Sequence, residues 1–224
     1  MRLTDQLIAQ DLACIRGGRL LFSGLGFSLA PGCGILLSGP NGIGKSSLLR
    51  ILAGLLPASA GSVCLPIATR RIAYLGHNDG LKPLATVTEL LMFWSAVNGP
   101  SDPTTRRHAV EDAMEKFALG PLATLPCRYL SAGQRRRVAL GRVLVTAAPL
   151  WFLDEPTSAL DTEGTDAIEQ ALVHHLAAGG MAVIATHLPV TIDSVETLEI
   201  AKFVEIAGGI SDVFSRDLSV DLDK

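Results

Sequence analysis

Residues 39–47 have the composition and spacing of a loop that binds the phosphates of a nucleotide. The segment fits the pattern G-x-x-x-x-G-K-[ST] and consists of Gly39, Pro40, Asn41, Gly42, Ile43, Gly44, Lys45, Ser46 and Ser47. Glycines let successive backbone N–H groups converge on phosphate oxygens, which larger side chains would block. We predict that Lys45 lies against the β and γ phosphates and that the Ser46 hydroxyl binds Mg²⁺. A glycine-rich turn that binds nothing would not need a lysine and a serine at these two positions.

Two carboxylates follow a second apolar segment, at residues 150–153. Asp154, at the predicted strand end, is able to hold Mg²⁺ through its water shell and so to complete the metal site that Ser46 begins. Glu155 is then placed to orient and polarise a water for in-line attack on the γ-phosphate. By itself an apolar run that ends in Asp-Glu is weak evidence, but the phosphate loop upstream gives it weight.

The elements that must position these residues alternate between strands and helices. Short apolar runs between Gly and Pro turns predict strands at residues 12–15, 20–22, 34–38, 72–75, 150–153 and 181–186. Helical periodicity and breakers predict helices at residues 46–56, 86–97, 105–119, 131–148 and 162–178. The first of these helices would point its positive end at the phosphates.

This rhythm predicts an α/β protein with a parallel sheet. The core is expected to consist of residues 1–85 and 149–203, interrupted by a helical insert at residues 86–148. Residues 204–224 are predicted to form a C-terminal tail, of which residues 211–224 are acidic and weakly periodic.

The composition of the 224 residues argues against several classes of protein. A net charge of −3 disfavours a broad nucleic-acid-binding surface. Although 48% of the residues are hydrophobic, no run approaches the roughly 18 apolar residues of a membrane span. The four cysteines form no Cys-x-x-Cys pair, which favours reduced thiols, and the N-terminus lacks the apolar region of a signal peptide. We therefore expect a cytosolic protein that meets a membrane only through partners.

A third motif, Leu-Ser-Ala-Gly-Gln at residues 130–134, opens one of the predicted helices. Ser131 followed by Gln134 fits a capping box, which is an ordinary way to start a helix. Gly133 keeps the first turn bare, so phosphate oxygens can approach the serine hydroxyl and the backbone N–H groups. This motif resembles the signature of ATP-binding-cassette (ABC) ATPases when taken together with the phosphate loop, the Asp-Glu strand, Ser158-Ala-Leu-Asp161 and Thr186-His187.

The resemblance implies a RecA-like P-loop NTPase core with a parallel sheet, an antiparallel β subdomain and an α-helical insert, over residues 1–203. It also implies a head-to-tail homodimer that binds ATP and Mg²⁺, each ATP lying between the phosphate loop of one subunit and the signature of the other. In such a dimer Ser131, Gly133 and Gln134 contact the γ-phosphate bound by the other subunit.

The same resemblance assigns roles to four further residues. Asp161 is expected in a loop that crosses between the two sites, and His187 is expected to touch the γ-phosphate and help position the attacking water. Cassettes usually present a glutamine to the metal after the strand at 72–75, and Asn78 is expected to supply that amide here. Where cassettes often place an aromatic ring against adenine, this chain has Arg16, which either stacks on the base or is a plain loop residue.

Four longer segments, at residues 19–29, 74–82, 130–140 and 150–156, resemble the CcmA family, the ATP-binding subunits of the bacterial cytochrome c maturation system. This resemblance implies an ATPase at the cytoplasmic face of the inner membrane, with two copies working beside integral membrane subunits of the CcmB and CcmC type. Hydrolysis would drive haem export or the release of a haem-loaded chaperone, and no residue decides between the two.

Three other functions remain open at this point. A cassette subunit that exports another substrate would share every catalytic residue and differ in its partner surface, around residues 84–98. A soluble cassette ATPase acting on nucleic acid or ribosomes usually fuses two cassettes or carries coiled-coil arms, for which this chain is short. A P-loop kinase or GTPase would leave residues 130–134 unexplained.

Overall fold

Two sheets carry the strands of this protein in the computed structural model, which describes residues 5–66, 71–186 and 192–204. The strands are β1 (Leu7–Arg16), β2 (Arg19–Leu29), β3 (Gly34–Ser38), β4 (Ala60–Cys64), β5 (Ile72–Leu75), β6 (Leu150–Asp154), β7 (Met181–Ala185) and β8 (Val195–Glu199). The first sheet has the order β2-β1-β4, with antiparallel pairs. The second has the order β5-β6-β7-β3-β8, and all four of its neighbouring pairs are parallel.

The central strands of the parallel sheet are apolar because both of their faces are covered. Along β6, Leu150 and Phe152 pack into a core with β1, β2 and the helix after the phosphate loop, whereas Trp151 and Leu153 pack into a second core with the later helices. Alternate residues of a strand point to opposite faces, so a strand between two cores reads as a continuous hydrophobic run. The predicted strand segments are such runs.

Five α-helices surround the sheets: α1 (Lys45–Leu52), α2 (Val87–Asn98), α3 (Pro103–Lys116), α4 (Ala132–Val145) and α5 (Thr162–Ala177). Helices α2, α3 and α4 pack on one another. Short 3₁₀ turns lie at Gly120–Leu122, Cys127–Tyr129 and Ile200–Phe203. Thr86 and Ser131 close capping boxes at the starts of α2 and α4, and Asp102 caps α3 just before Pro103.

The predicted α/β class and the parallel sheet are confirmed, but several elements differ from the prediction. Strands β1 and β2 extend beyond the predicted runs at residues 12–15 and 20–22. Helix α1 ends at Leu52 rather than at residue 56, because Gly54 has a φ of 70° and the amides of Leu55 and Leu56 both donate to the Arg50 carbonyl. Strands β4 and β8 were not predicted. Both are half-exposed and contain polar or small residues, so neither has a strong apolar pattern.

The helices α2 to α4 fall within residues 86–148, the segment predicted as a helical insert. The division into core, insert and tail stays a prediction, and residues 205–224 lie outside the described part of the chain. In the described ranges, every helix is too short or too polar to cross a bilayer.

Candidate active site

An open cleft of about 560 Å³ lies at the carboxyl ends of the parallel strands, around the start of α1. Crevices at this edge of a parallel sheet are the usual ligand sites of α/β proteins. Its lining consists of Leu21, Asn41, Gly42, Gly44, Lys45, Ser46, Ser47, His77, Asp154, Glu155 and Ser158. The cleft therefore brings together the phosphate loop and the two carboxylates that the sequence places far apart.

Glycines give the loop between β3 and α1 its shape. Gly39, Gly42 and Gly44 have φ values of 145°, 79° and 119°, a region that other residues rarely adopt. Gly44 is also the N-cap of α1 and supplies no side chain to cap the helix. The first N–H groups of α1 are therefore left facing the cleft without a side-chain acceptor from the cap, as an anion site requires.

The ammonium group of Lys45 lies across this loop. The side chain is only 8% exposed, and Nζ donates to the carbonyl oxygens of Gly39 at 2.6 Å and Pro40 at 3.3 Å. Carbonyl groups satisfy the hydrogen bonds of the ammonium but do not neutralise its charge. The loop thus holds a buried positive charge ready for an anionic ligand.

Asp154 fits the role of a magnesium residue. It is 2% exposed, and its Oδ2 has no hydrogen-bond partner among the residues that the structure describes. A buried carboxylate oxygen without a donor is costly unless a cation meets it, and both Asp154 and the Ser46 hydroxyl line the cleft. No three His, Cys, Asp or Glu side chains of the described residues form a metal cluster. The donor set therefore suits Mg²⁺, which binds one or two protein oxygens and keeps phosphates and waters as its other ligands.

Glu155 has an unusual backbone. Its φ is 49°, in the left-handed region that costs a residue with a side chain about 1 kcal/mol or more. The amide of Glu155 donates to the Ala185 carbonyl at 2.6 Å, which ties the turn after β6 to the end of β7. This conformation places Glu155 in the lining of the cleft beside Asp154.

The segment after β5 contributes His77 to the cleft. Asn78, to which the sequence assigned the amide role, is exposed and is not among the lining residues. Arg16 is exposed at the end of β1 and does not line the cleft either. Within the described chain, the residue from the β1–β2 hairpin that reaches the cleft is Leu21.

The signature motif lies outside this cleft. Ser131 Oγ accepts from the Gln134 amide at 3.2 Å, and Gln134 Oε1 accepts from the Ser131 amide at 2.9 Å, which is the predicted capping box. Packing within the chain explains why position 133 is a glycine, since a Cβ there would lie 2.8 Å from the Ala159 carbonyl oxygen. None of residues 131–134, all of them described, is part of the cleft lining, so one chain by itself does not bring the signature to its own phosphate loop.

Asp161 caps α5 by accepting from the Gly164 amide at 2.9 Å. The Arg137 guanidinium lies 2.6 Å from both of its carboxylate oxygens, and this contact holds the pKa of Asp161 below its usual range. The acid therefore joins α4 to the start of α5. His187 lies outside the described residues, and Thr186 before it is buried directly after β7.

Three lining residues were missed by sequence reasoning: Leu21, His77 and Ser158. His77 directly follows Gly76 at the edge of the sheet, and this position was a usable signal. Ser158 stands in the quoted segment Ser158-Ala-Leu-Asp161, but no role was given to it. Leu21 carries no polar group and belongs to a strand pattern, so nothing in its surroundings in the sequence indicates a ligand contact.

Comparison with known proteins adds a family and a fold. Residues 22–158 match the family model of ABC transporters. The chain is 46% identical to a cytochrome c biogenesis ATP-binding export protein CcmA from Paramagnetospirillum magneticum, over 87% of this chain and 94% of that protein. It is 43% identical to the protein of the same name from Rhodospirillum rubrum, over 93% of this chain and 91% of that protein.

Two solved structures share the fold. One is an ABC transporter ATP-binding protein from Pyrococcus furiosus, with a TM-score of 0.75, 22% identity and coverage of 88% of this chain and 98% of that one. The other is a dimeric bacterial ABC transporter cassette, with a TM-score of 0.73, 22% identity and coverage of 86% and 94%. These likenesses confirm the predicted ABC ATPase fold.

Replacing Asp154 with asparagine tests the magnesium assignment. In the unmodified chain, Mg²⁺ with ATP is expected to raise the free energy of unfolding by about 2.7 kcal/mol at a hundred times the dissociation constant. Asp154→Asn should lose most of the part that depends on Mg²⁺, because the orphaned anionic oxygen is gone. Thermal unfolding with ATP in Mg²⁺ or in EDTA measures this, and Asp112→Asn, an exposed acid on α3, is the control. Equal stabilisation of the unmodified chain by ATP with and without Mg²⁺ would contradict the assignment.

Comparing His77→Ala with Asn78→Ala shows which of the two side chains meets the nucleotide. His77 lines the cleft, so its loss should weaken binding of Mg²⁺-ATP about tenfold, since a hydrogen bond to a charged group contributes roughly 1.5–3 kcal/mol. The loss in Asn78→Ala is expected to be smaller. Titration with a fluorescent ATP analogue measures the affinity of both variants. A larger loss of affinity in Asn78→Ala would show that Asn78, not His77, contacts the nucleotide.

Proposed function

This chain belongs to the ABC transporter family of ATP-binding proteins, and on that basis we propose that it is the ATP-hydrolysing subunit of an exporter for cytochrome c biogenesis. The observation that carries the proposal is the single cleft shared by Lys45, Ser46, Asp154 and Glu155. The CcmA relatives, which align with most of the chain, support the cytochrome c assignment. Hydrolysis would power the export of haem or the release of a haem-loaded chaperone.

The binding step uses charges that are already in place. Lys45 exchanges the Gly39 and Pro40 carbonyls for the β and γ phosphate oxygens, and the N–H groups at the start of α1 donate to the same phosphates. Ser46 and Asp154 are the residues that would hold Mg²⁺. When bound, this ion neutralises charge that develops on the phosphate oxygens.

The chemical step depends on Glu155. Its carboxylate accepts a hydrogen bond from a water and orients that water in line with the γ-phosphate. His77 lies in the same lining and would contact the phosphate end of the nucleotide or its magnesium shell. The role of His187, as the second group that positions the water, remains part of the proposal by resemblance.

We infer a head-to-tail dimer from what the cleft lacks. Lys45 lies in the cleft whereas Ser131 and Gly133 do not, so a signature that contacts a triphosphate must reach one bound by another copy. The Ser131 hydroxyl accepts in its cap, which leaves its proton able to donate to a phosphate. A solved cassette of the same fold is a dimer, which supports this arrangement.

A surface beside α2 is suited to bind the membrane subunits. A pocket of about 220 Å³ opens there, lined by residues that include Leu55, Trp94 and Arg142. Exposed apolar side chains lie on α2 and on the loop before it, among them Phe93 at 43% and Leu84 at 74% exposure. We propose that integral subunits of the CcmB and CcmC type cover this surface, which would bring the chain to the cytoplasmic face of the inner membrane.

Glu155→Gln is expected to bind ATP but not to hydrolyse it, which would trap the closed dimer. Gel filtration with ATP and Mg²⁺ should show twice the monomer mass, and ADP should not. Glu169→Gln, an exposed acid on α5, is the control and should turn over ATP at the unmodified rate. A monomer in every nucleotide state would argue against the sandwich.

The partner surface separates cytochrome c biogenesis from export of another substrate. Phe93→Glu should keep ATP binding but lose copurification with coexpressed CcmB-type and CcmC-type subunits, and should stop holocytochrome c production in cells. Val173→Glu on α5, another exposed apolar position, should behave like the unmodified chain. If neither membrane subunit copurifies with the unmodified chain, the cytochrome c assignment is wrong while the ATPase assignment stands.

A further inference from the structure

The buried side chain of Arg136 joins three parts of the protein. It lies on α4, two residues after the signature motif, and is only 2% exposed. Its donors reach the carbonyl oxygens of Asp154 at 2.7 Å, Glu155 at 2.6 Å and Pro156 at 3.3 Å. They also reach the Gly76 carbonyl and an Asp79 carboxylate oxygen, both at 3.0 Å. All three nitrogens of the guanidinium group therefore donate to this strand end and loop.

The first group of contacts holds the catalytic carboxylate through its backbone. Arg136 binds three successive carbonyls, those of residues 154–156, and Glu155 in the middle has the strained φ of 49°. A left-handed residue with a side chain persists only when its surroundings fix it. The Ala185 carbonyl fixes the amide of Glu155, and Arg136 fixes its carbonyl oxygen.

The second group of contacts holds the loop after β5. Gly76 and Asp79 lie on either side of His77 in the sequence. Arg136 therefore binds this loop both before and after the residue that lines the cleft. Asp79 supplies the negative charge in this cluster, and its side chain is 21% exposed. It also lies near the Arg142 guanidinium, whose pKa is lowered by burial although the Asp79 charge opposes that shift.

We propose that Arg136 is a positioning residue for hydrolysis, which fixes the direction of the Glu155 carboxylate only while the loop at 76–79 is docked against it. This inference rests on the proposed ATPase function. Displacement of the loop removes the Asp79 charge, loosens Arg136 and frees the turn at Glu155. The loop runs on to Leu84 and the surface beside α2, so a partner bound there is able to control the carboxylate through this one side chain.

A purely structural role would give a different result. Arg136 is a buried cation, and removing a partner of a buried pair destabilises proteins in general. In that case the folded fraction of each variant would hydrolyse ATP at the normal rate. A positioning role instead lowers kcat by more than it raises KM, because Glu155 acts on the transition state, whereas Arg136 holds the binding residue His77 only through its neighbours in the loop.

The experiment measures kcat, KM for ATP and melting temperature of the full chain for Arg136→Gln, Arg136→Lys and Asp79→Asn. We expect kcat to fall about tenfold or more in both Arg136 variants, since small misplacement of a catalytic group is costly, and about three- to tenfold in Asp79→Asn. KM should rise by a smaller factor than the one by which kcat falls. The double variant Asp79→Asn/Arg136→Gln should be no slower than Arg136→Gln alone, because both changes break one linkage.

Two control variants separate a loss of stability from a loss of kcat. Val143→Ala removes buried volume from the same helix without touching the Arg136 contacts, so it should lower the melting temperature but not kcat. Arg107→Gln removes an exposed guanidinium from α3 and should change neither quantity.

A normal kcat in folded Asp79→Asn, or a loss in the Arg136 variants no larger than in Val143→Ala at equal stability, would overturn the proposal. Asp79→Asn keeps the four carbonyl contacts of Arg136, so it gives an answer even if the Arg136 variants do not fold. Lys45→Ala distinguishes the two levels of inference. If that variant still hydrolyses ATP, the proposed function fails, whereas if it is inactive and Asp79→Asn is normal, only the role of Arg136 fails.

Discussion

Buried charge at the carboxyl edge of the parallel sheet is the constraint that shapes the site. Lys45, Arg136 and Asp154 are 8%, 2% and 2% exposed, and an uncompensated buried charge costs roughly 3–5 kcal/mol. Parallel strands end with carbonyl groups on one edge, and these carbonyls accept from both cations. A carbonyl satisfies a donor without cancelling its charge, so Lys45 keeps its full attraction for phosphate. Asp154 likewise keeps an anionic oxygen for a cation. The folded chain thus holds, before any ligand binds, the charges that the proposed magnesium–triphosphate would require.

Much of this arrangement could be predicted from the sequence, because it follows from local rules. The glycines, lysine and serine of the phosphate loop, the apolar strand before Asp154, and the capping box at Ser131 all lie within short segments. The structure has the strand, the helix start and the cap where the sequence predicts them. The parallel sheet follows from the alternation of apolar strands with helices, and it is this sheet that brings Lys45 and Asp154 to one edge.

The parts that could not be predicted depend on contacts between distant segments. Arg136 stands in a run of three arginines, which is more often a solvated helix face, and only the packing of α4 against β5 and β6 buries it. The left-handed backbone of Glu155 could not be predicted either, because a glutamate at this position does not indicate a positive φ. His77 and Asn78 are adjacent polar residues after a strand, and which of them faces the cleft depends on the path of the loop after Gly76 rather than on either side chain.

Helix α4 contacts the segment that follows β6 at three positions along its first two turns. These contacts matter for a dimer because they fix the signature motif relative to Glu155. Gly133 lies against the Ala159 carbonyl, Arg136 binds residues 154–156, and Arg137 pairs with Asp161. The signature of each subunit and the Glu155 of the same subunit are therefore fixed to one another. In a head-to-tail dimer these two groups serve different nucleotides, since Glu155 faces the subunit's own cleft and Ser131 faces the other copy's. In the proposed head-to-tail dimer, a shift of α4 that improves the contact with one triphosphate would also move the carboxylate at the second, so the contacts that hold the strained turn would couple the two sites.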